Sequence, residues 1–396
     1  MNKLVKKYMR CFMKLYIDGQ PLLGHKTGIG HYTNNLINEL ILTNISIEVV
    51  TNQIVNQKRL KSINFKDRQL KNIKLTNKLY PYKVIRRLMK HNVLYNFPID
   101  LFEEKLNRSN SVFHATNFIM LPTRHAKQVV TIHDLAFMKF PDVVERNIYE
   151  YMMRWVPYSI EVADHIIADS FNTKKDILEL FDIPKEKITV VHLAADAKFE
   201  KQTYEQITLV REKYNLPANY LLYLGTLEPK KNLVTLIDVY ALLKQRYNVK
   251  EKLVIVGAKG WKFNPIFYKV KELNLEQDII FMGYIADEDL ASIYSGASVF
   301  TFPSLYEGFG IPLLEAMQCE VPVVASNTSC IPEIVGEAAL LVNPYDIELW
   351  AEKIYQVISS PILQMDLISK GKQQASKFSW EKVALDTLKV YKKVVI

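Results

Sequence analysis

The chain has few cysteines and no long apolar run, and each scarcity argues against a class of protein. The three cysteines, Cys11, Cys319 and Cys330, show neither metal-site spacing nor a disulfide framework, so we expect the last two to be small core residues in a reducing compartment. No run of about 18 uncharged apolar residues occurs, so no transmembrane helix is expected. Residues 1–12 form a basic extension that lacks the apolar segment of a signal peptide. We therefore expect a cytoplasmic protein.

Signatures of several enzyme classes are also absent. The run T-G-I-G-H-Y at 27–32 follows the first predicted strand, but it lacks the third glycine of the dinucleotide fingerprint. No acidic residue closes a second strand about 20 residues further on, which argues against an oxidoreductase. No lysine signature for pyridoxal phosphate occurs, which argues against a phosphorylase. No D-x-D metal motif ends a predicted strand.

Acidic residues are scarce in one segment of the chain. Residues 58–90 contain twelve lysines and arginines against a single acid, a net charge of +11 in a chain whose total is +9. Apolar residues are interleaved with these cations, which suits docking on the inner face of an anionic plasma membrane, where each cation contributes about 1 kcal/mol. Nucleic acid is the other polyanion to consider, but no nucleic-acid motif accompanies the segment. A solvated loop without a partner is the remaining interpretation. The residues proposed for this contact are Lys83, Arg86, Arg87 and Lys90.

Length and pattern predict two α/β domains. A chain of 396 residues exceeds the size of about 250–300 residues at which one hydrophobic core stops growing. Strand-like and helix-like segments alternate, which predicts parallel sheets in an N-terminal domain at 13–203 and a C-terminal domain at 204–376, followed by a helix at 377–396. The predicted strands are Leu15–Asp18, Ile47–Val50, Ser111–His114, Val129–His133, His165–Ala168, Ile188–Val191, Tyr220–Leu224, Lys252–Val256, Ile279–Met282, Val299–Phe302, Val321–Ala325 and Ala339–Val342.

The segment S-L-Y-E-G-F-G-I-P-L-L-E-A-M-Q-C at 304–319 is the most informative part of the sequence. It joins a predicted strand to a helix that should begin near Pro312, because proline suits a first helical turn. Its glycines leave room for a ligand near a helix N-terminus, which attracts phosphate. Glu307 and Glu315 bracket the turn, and ionised carboxylates accept hydrogen bonds from groups such as sugar hydroxyls. This combination suits a sugar nucleotide, whereas an ordinary strand–loop–helix connection is the alternative.

The same segment resembles the E-x7-E signature of the retaining glycosyltransferases of family 4. The resemblance covers nearly the whole chain from Met13 and implies the GT-B fold, in which two Rossmann-like domains face a cleft. It also implies that Glu315 holds the donor ribose, that Glu307 contacts the transferred sugar, and that no metal is needed. The residues whose backbone then faces the donor diphosphate are Phe309, Gly310 and Ile311.

A second segment, L-Y-L-G-T-L-E-P-K-K-N-L at 222–233, resembles the phosphate-binding loop of the family. Lys231 falls at the family's conserved lysine and is expected to neutralise the diphosphate, with Lys230 as the alternative. Many members have an arginine where Thr226 stands, so binding here should depend more on Lys231 and on backbone donors. The G-T-L-E-P-[KR]-K-N form is typical of the mannosyltransferase-like members, which favours GDP-mannose over a UDP-sugar as donor.

Three further places carry the resemblance. Gly28 and Gly30 occupy the family's glycine pair near the diphosphate. His133, at the end of a predicted strand, falls where the family has a histidine facing the donor sugar. The nucleobase is held in the family by backbone groups after a C-terminal-domain strand, and the residues at the corresponding strand ends here are Gly283, Tyr284, Ile285 and Gly257.

The resemblance implies a retaining hexosyltransferase that acts on a glycan or lipid-linked saccharide in cell-surface polysaccharide synthesis. Two alternatives are kept. One is a sugar-nucleotide epimerase with the same fold, although such enzymes have a different set of carboxylates and histidines. The other is a non-catalytic partner protein, for which Thr226 is the only support.

Overall fold

The structure, a computed structural model, describes residues 13–23, 28–43, 45–51, 110–120, 123 and 125–395, and the backbone of 73–77. The predicted membrane-facing residues and the basic extension 1–12 lie outside these ranges. In the described part of the chain, no helix is long and apolar enough to cross a bilayer.

The described elements alternate between strands and helices along the chain. The strands are β1 Lys14–Asp18, β2 Ser46–Thr51, β3 Ile73–Asn77, β4 Ser111–Ala115, β5 Lys127–Ile132, β6 His165–Ala168, β7 Ile188–Val190, β8 Tyr220–Leu224, β9 Lys252–Val256, β10 Ile279–Gly283, β11 Val299–Phe302, β12 Val323–Ser326 and β13 Ala339–Val342. The α-helices are α1 Gly28–Ile41, α2 Ala136–Lys139, α3 Arg146–Val162, α4 Phe171–Leu180, α5 Tyr204–Lys213, α6 Leu233–Tyr247, α7 Asn264–Glu272, α8 Leu290–Ser295, α9 Ile311–Gln318, α10 Ile331–Val335, α11 Ile347–Ser359, α12 Pro361–Ala375 and α13 Trp380–Val395.

Two parallel sheets form the two domains. The described strands of the first sheet have the order β3-β2-β1-β4-β5-β6-β7, and those of the second have the order β10-β9-β8-β11-β12-β13. The strands are apolar along most of their length because helices cover both faces of such a sheet. Helix α1, for example, buries Leu36, Ile37, Leu40 and Ile41 along one stripe. The predicted architecture of two Rossmann-like domains is confirmed.

The last helix, α13, lies on the N-terminal domain. Tyr391 donates or accepts a hydrogen bond at Nδ1 of His114 over 2.6 Å, and Trp380 packs beside Tyr32 of α1 with ring centroids 6.2 Å apart. Val383 and Leu388 belong to the same hydrophobic cluster as the α1 stripe. The chain therefore passes between the two domains twice, once before α5 and once before α13.

The structure differs from the sequence-based predictions in two elements. Strand β3 pairs in parallel with β2 at the edge of the first sheet, inside the basic segment in which no strand was predicted. A helical pattern in the sequence extends from Asp287 to Ser295, but the helix begins only at Leu290, because residues 286–289 form a turn in which the Asp289 N–H donates to the Ala286 carbonyl. Cys319 and Cys330 are fully buried, as expected of core residues.

Candidate active site

The candidate site lies where the carboxyl ends of the two sheets face each other. Open α/β sheets bind ligands outside the carboxyl ends of the strands, at the point where the strand order reverses. That point is between β1 and β4 in the first sheet and between β8 and β11 in the second. The loops after β5, β8 and β11 contact one another across this cleft, as the contacts below show.

The turn after β11 is fixed by its own glycine and by the loop after β12. Gly310 has φ +95°, a conformation that favours glycine, and α9 follows directly, with Pro312 in its first turn as predicted. The Glu307 N–H donates to Ser329 Oγ over 2.9 Å. The Cys330 thiol donates to the carbonyl oxygens of Glu307 and Phe309, each over 3.2 Å. The turn is therefore held in place by the 328–330 loop. At the start of α9, Pro312 has no N–H and the Leu313 N–H donates to the Gly310 carbonyl oxygen over 3.0 Å, so Ile311 is the residue of this turn of helix whose N–H could face a ligand.

Glu307 and Lys231 form a buried ion pair in the cleft. Lys231 Nζ lies 2.6 Å from Glu307 Oε1, and the two side chains are only 15% and 10% exposed. Burial favours a protonated Glu307, but Lys231 and Lys230 outweigh this effect and lower the pKa of the carboxyl group. Lys230, the alternative phosphate ligand, lies 3.5 Å from Asp134 Oδ2 on the opposite domain. Glu228 is buried beside both lysines, and its burial raises the pKa of the carboxyl group.

Both ring nitrogens of His133 are engaged within the N-terminal domain. Nδ1 lies 2.6 Å from the buried carboxylate of Asp169, and Nε2 lies 2.9 Å from the Thr116 carbonyl oxygen. A carbonyl and an ionised carboxylate only accept hydrogen bonds, so this geometry favours a doubly protonated ring. Burial alone would lower the pKa of His133, but these two acceptors raise it. The predicted contact with a sugar hydroxyl therefore requires His133 to exchange one of these bonds.

Glu315 lies one turn into α9 and is bound by a tyrosine of α8. The Tyr294 hydroxyl donates to Glu315 Oε2 over 2.9 Å. Burial raises the pKa of Glu315 to about 7, and the tyrosine only partly offsets it. A carboxyl group that titrates near neutral pH can accept hydrogen bonds from a ligand when it is ionised. It would be a weak acceptor at acidic pH.

Glycines allow close backbone approach at the ends of β8, β9 and β10. The Gly225 N–H donates to Val256, and the Gly257 N–H donates to Gly283, both over 2.9 Å. A Cβ at Gly257 would overlap the backbone of Gly225, whereas the space around Gly283, at φ +67°, is open. The residues that follow are Tyr284, which is 76% exposed, and Ile285, which is buried. These are the strand ends at which the nucleobase is predicted to bind.

The remaining residues predicted to contact the diphosphate lie on α1 and in the loops after β8 and β11. Gly28 begins α1 with open space around it, and Gly30 is buried in the same helix. Thr226 is exposed in the loop after β8. The Phe309 side chain packs on His192 and Phe378, away from the cleft, so that only its backbone could reach a ligand.

The two domains touch directly at the site. A Cβ at Gly308 would overlap the carbonyl oxygen of His133, so the backbones of the two domains are in contact there. Trp261, in the loop after β9, donates from Nε1 to the Val143 carbonyl of the N-terminal domain over 2.6 Å. In the described residues, no group of three or more His, Cys, Asp or Glu side chains is arranged to hold a metal ion.

Sequence reasoning missed four residues that the structure brings into the site. Asp169 and Asp134 each follow the end of a strand, so the strand-end rule that selected His133 could also have selected them. Glu228 lies in the recognised phosphate loop but was not considered. Tyr306, beside Glu307, contacts the opposite domain, and no local sequence signal indicates this contact.

Comparisons with known proteins match both domains of the chain. The Glycosyltransferase Family 4 model matches residues 26–199, and the Glycosyl transferases group 1 model matches residues 206–374. The chain is 30% identical over 389 residues to the O-antigen chain mannosyltransferase B of Escherichia coli. The alignment covers 96% of this chain and 100% of that protein.

Solved structures show the same fold at low sequence identity. A sucrose-phosphate synthase from Thermosynechococcus elongatus superposes with a TM-score of 0.74 at 22% identity, over 96% of this chain and 98% of that one. Anabaena HepE, solved with UDP and glucose, superposes with a TM-score of 0.71 at 16% identity, over 96% of this chain and 100% of that one. The fold and the facing cleft are those of the GT-B glycosyltransferases. The chain belongs to the group 1 glycosyltransferases of family 4.

Proposed function

We propose that the protein is a retaining mannosyltransferase that uses GDP-mannose and transfers the sugar to a glycan or lipid-linked saccharide. The observation that carries this proposal is the buried Glu307–Lys231 pair, which lies at the carboxyl edge of the second sheet. The next residue, Gly308, touches the backbone of His133 on the other domain. The choice of mannose is supported by the full-length similarity to the E. coli mannosyltransferase and by the form of the loop at 225–232. A UDP-sugar is the alternative donor.

In this proposal the C-terminal domain holds the donor. The backbone N–H groups at 309–311, which lead into α9, and the Lys231 ammonium bind the diphosphate, because a helix N-terminus and a cation both stabilise negative charge. Glu315 accepts hydrogen bonds from the ribose, and the strand ends at 257 and 283–285 contact the base. Glu307 orients the transferred sugar. The arrangement is proposed to need no metal, since these groups stabilise the negative charge of the leaving diphosphate.

The transfer step is proposed to occur on one face of the sugar. The bond between the anomeric carbon and the diphosphate oxygen breaks, and the electron pair leaves with the diphosphate. The acceptor hydroxyl forms the new bond to the anomeric carbon from the same face, and its proton passes to the departing phosphate oxygen. Contact between the domains excludes water, which would otherwise hydrolyse the donor.

A donor panel tests the proposal. The purified chain is incubated with GDP-mannose, UDP-glucose and related sugar nucleotides, and release of the nucleoside diphosphate is followed over hours. We expect slow hydrolysis, fastest with GDP-mannose. Preferential use of a UDP-sugar would replace the donor, and conversion to an isomeric sugar nucleotide would indicate an epimerase. No turnover of any donor, with or without saccharide acceptors, would favour the non-catalytic alternative.

Glu315 should make donor binding depend on pH. With a pKa of about 7, Glu315 is mostly protonated at pH 6 and mostly ionised at pH 8. Only the ionised form accepts hydrogen bonds from both ribose hydroxyls, so the Kd of intact GDP-mannose should be about tenfold weaker at pH 6. The intact donor is the right probe because a terminal phosphate has a second pKa of about 6 and would itself titrate.

Glu315→Gln is the matched control for this pH dependence. It keeps the shape of the side chain but cannot ionise, so calorimetry should give a weak Kd that is the same at pH 6 and pH 8. An equally steep pH dependence in this variant would remove Glu315 from the ribose site.

The basic segment is proposed to hold this cytoplasmic enzyme on the inner face of the plasma membrane, near a lipid-linked acceptor. The support is the charge of +11 over residues 58–90, interleaved with apolar residues. Charge combined with inserted apolar side chains gives reversible, salt-sensitive binding. We expect the protein to sediment with anionic liposomes at low salt and to be released at high salt. Charge removal at Lys83, Arg86, Arg87 and Lys90 together should weaken sedimentation but leave donor hydrolysis intact. A wild-type protein that stays in the supernatant at low salt would refute membrane docking.

A further inference from the structure

We propose that Tyr306 is a positioning residue for Glu307, because it ties the turn that carries Glu307 to helix α4 of the N-terminal domain. The inference rests on the proposed function, in which Glu307 contacts the transferred sugar. Tyr306 itself is not expected to touch the donor.

The Tyr306 side chain crosses from one domain into the other. Its hydroxyl donates to Asp176 Oδ2 over 2.5 Å and lies 3.4 Å from the Leu135 N–H. Its ring packs on Phe140, with centroids 5.6 Å apart, and the residue is only 5% exposed. Although its backbone follows β11, the side chain is therefore buried among residues of the N-terminal domain.

Asp176 is itself held in place on α4. Its carboxylate is buried, accepts a hydrogen bond from Asn172 Nδ2 over 3.0 Å and pairs with Lys139 Nζ at 2.9 Å. A carboxylate fixed in this way accepts a short, directional hydrogen bond from a tyrosine hydroxyl, and such bonds are roughly twice as strong as neutral ones. The position of the Tyr306 ring is therefore defined by the N-terminal domain.

Helix α4 also contacts the residues on either side of the cleft centre. The Thr173 hydroxyl lies 3.2 Å from the carbonyl oxygen of His133 and 3.5 Å from that of Gly308. Tyr306 and Gly308 flank Glu307 in the chain. Helix α4 thus contacts both neighbours of Glu307 as well as the backbone of His133. It therefore sets the separation between the Glu307 turn and His133.

A second contact joins the same helix to the C-terminal domain independently of Tyr306. Glu333 of α10 accepts hydrogen bonds from the first N–H groups of α4, at Phe171 over 2.8 Å and at Asn172 over 3.2 Å. It also lies 2.6 Å from His192 Nε2. Glu333 follows directly on the 328–330 loop that supports the Glu307 turn. Helix α4 is therefore attached to the C-terminal domain through its first N–H groups as well as through Asp176. The contacts that act on the turn itself are those of Tyr306 and Gly308.

Loss of the Tyr306 hydroxyl should affect turnover more than nucleotide binding. A displacement of about 1 Å at a reacting centre can lower a rate about a hundredfold. We expect Tyr306→Phe to lower the kcat of donor hydrolysis about tenfold to a hundredfold. The Kd of bare GDP, which is assigned to the C-terminal domain alone, should stay within about twofold of the wild type.

Tyr240→Phe is the matched control. Tyr240 is also fully buried and donates to the carbonyl oxygens of Glu251 and Asp278 over 2.9 and 3.3 Å, but all three lie within the C-terminal domain. This variant loses an equally buried hydroxyl without touching the other domain. Its kcat should match the wild type, even if its melting temperature falls as much as that of Tyr306→Phe.

A double-mutant cycle with Asp176→Ala tests the mechanism. If the hydroxyl acts through Asp176, adding Tyr306→Phe to Asp176→Ala should cause no further loss of kcat. Wild-type kcat in Tyr306→Phe, a loss no greater than that of Tyr240→Phe, or fully additive losses in the cycle would each overturn the proposal.

Hydrogen exchange of the Glu307 turn separates this inference from the proposed function, because the measurement needs no sugar nucleotide. A wild-type protein that uses no sugar nucleotide would refute the function but would leave the Tyr306 contact untouched. The backbone N–H groups of the turn at 305–311 should exchange faster in Tyr306→Phe than in the wild type and in Tyr240→Phe, because the turn loses its bond to α4. Equal exchange rates in the three proteins would overturn the inference.

Discussion

Replacing Glu307 by alanine should lower the kcat of donor turnover by at least about a hundredfold, a loss typical of removing one electrostatic contact at a reacting centre. The Kd of the bare nucleoside diphosphate should stay the same or become tighter. The reason is the ion pair: Lys231 Nζ lies 2.6 Å from Glu307, so removal of the carboxylate frees the ammonium for the diphosphate. Steady-state hydrolysis and calorimetry measure the two effects separately.

A surface glutamate provides the control for this change. Glu348 also pairs with a cation, Arg246, at 2.6 Å, but both side chains are more than half exposed. Exposed pairs contribute little, so Glu348→Ala should leave kcat and Kd unchanged. Clearly weaker diphosphate binding in Glu307→Ala would show that Glu307 belongs to the nucleotide site rather than to the sugar site.

Alanine at Gly308 should reduce turnover about a hundredfold or more while the protein stays folded. The added Cβ would overlap the backbone carbonyl oxygen of His133 and would lie 3.0 Å from the Asp134 Cβ. A backbone oxygen cannot rotate away, so the overlap is relieved by moving one domain from the other. We expect a larger radius of gyration, a lost kcat and a diphosphate Kd close to that of the wild type.

Gly371→Ala is the control, because an added Cβ there would meet a side chain of the same domain instead of the backbone of the other domain. Its Cβ would meet the Met317 Cγ at 3.2 Å, which is the flexible part of a side chain within the same domain. Kinetics and scattering should match those of the wild type. Full activity in Gly308→Ala would mean that the contact between these two backbones is not needed for turnover.

The fold was largely predictable because most strands are buried on both faces and read as short apolar runs. All twelve predicted strands correspond to strands of the structure, although the strand predicted at Val321–Ala325 is observed at Val323–Ser326. The missed strand, β3, has the sequence I-K-L-T-N and lies among lysines and arginines. The alternation of apolar and polar residues in β3 is short, and it lies in a segment dominated by cations. The pairing of β3 with β2 belongs to the tertiary structure and cannot be read from the local sequence pattern.

The site was predictable only where one loop carries the chemistry. The Glu307–Glu315 turn and the Lys231 loop could be identified because each is a continuous motif. The Tyr306–Asp176 contact joins residues 130 positions apart, and nothing local indicates such a pair. His133 was selected by its position at a strand end, but its bond to Asp169 depends on the pairing of β5 with β6.

The placement of α13 has a consequence for biosynthesis. During translation the N-terminal domain is made first, yet the helix that covers His114 and the α1 stripe follows only after the whole C-terminal domain. Until then, apolar surface on the first sheet stays open to water and to other nascent chains. The two halves are therefore poor candidates for separate expression. We expect a nonsense codon before Trp380 to impair folding of the N-terminal domain, although the missing helix follows the C-terminal domain in the chain.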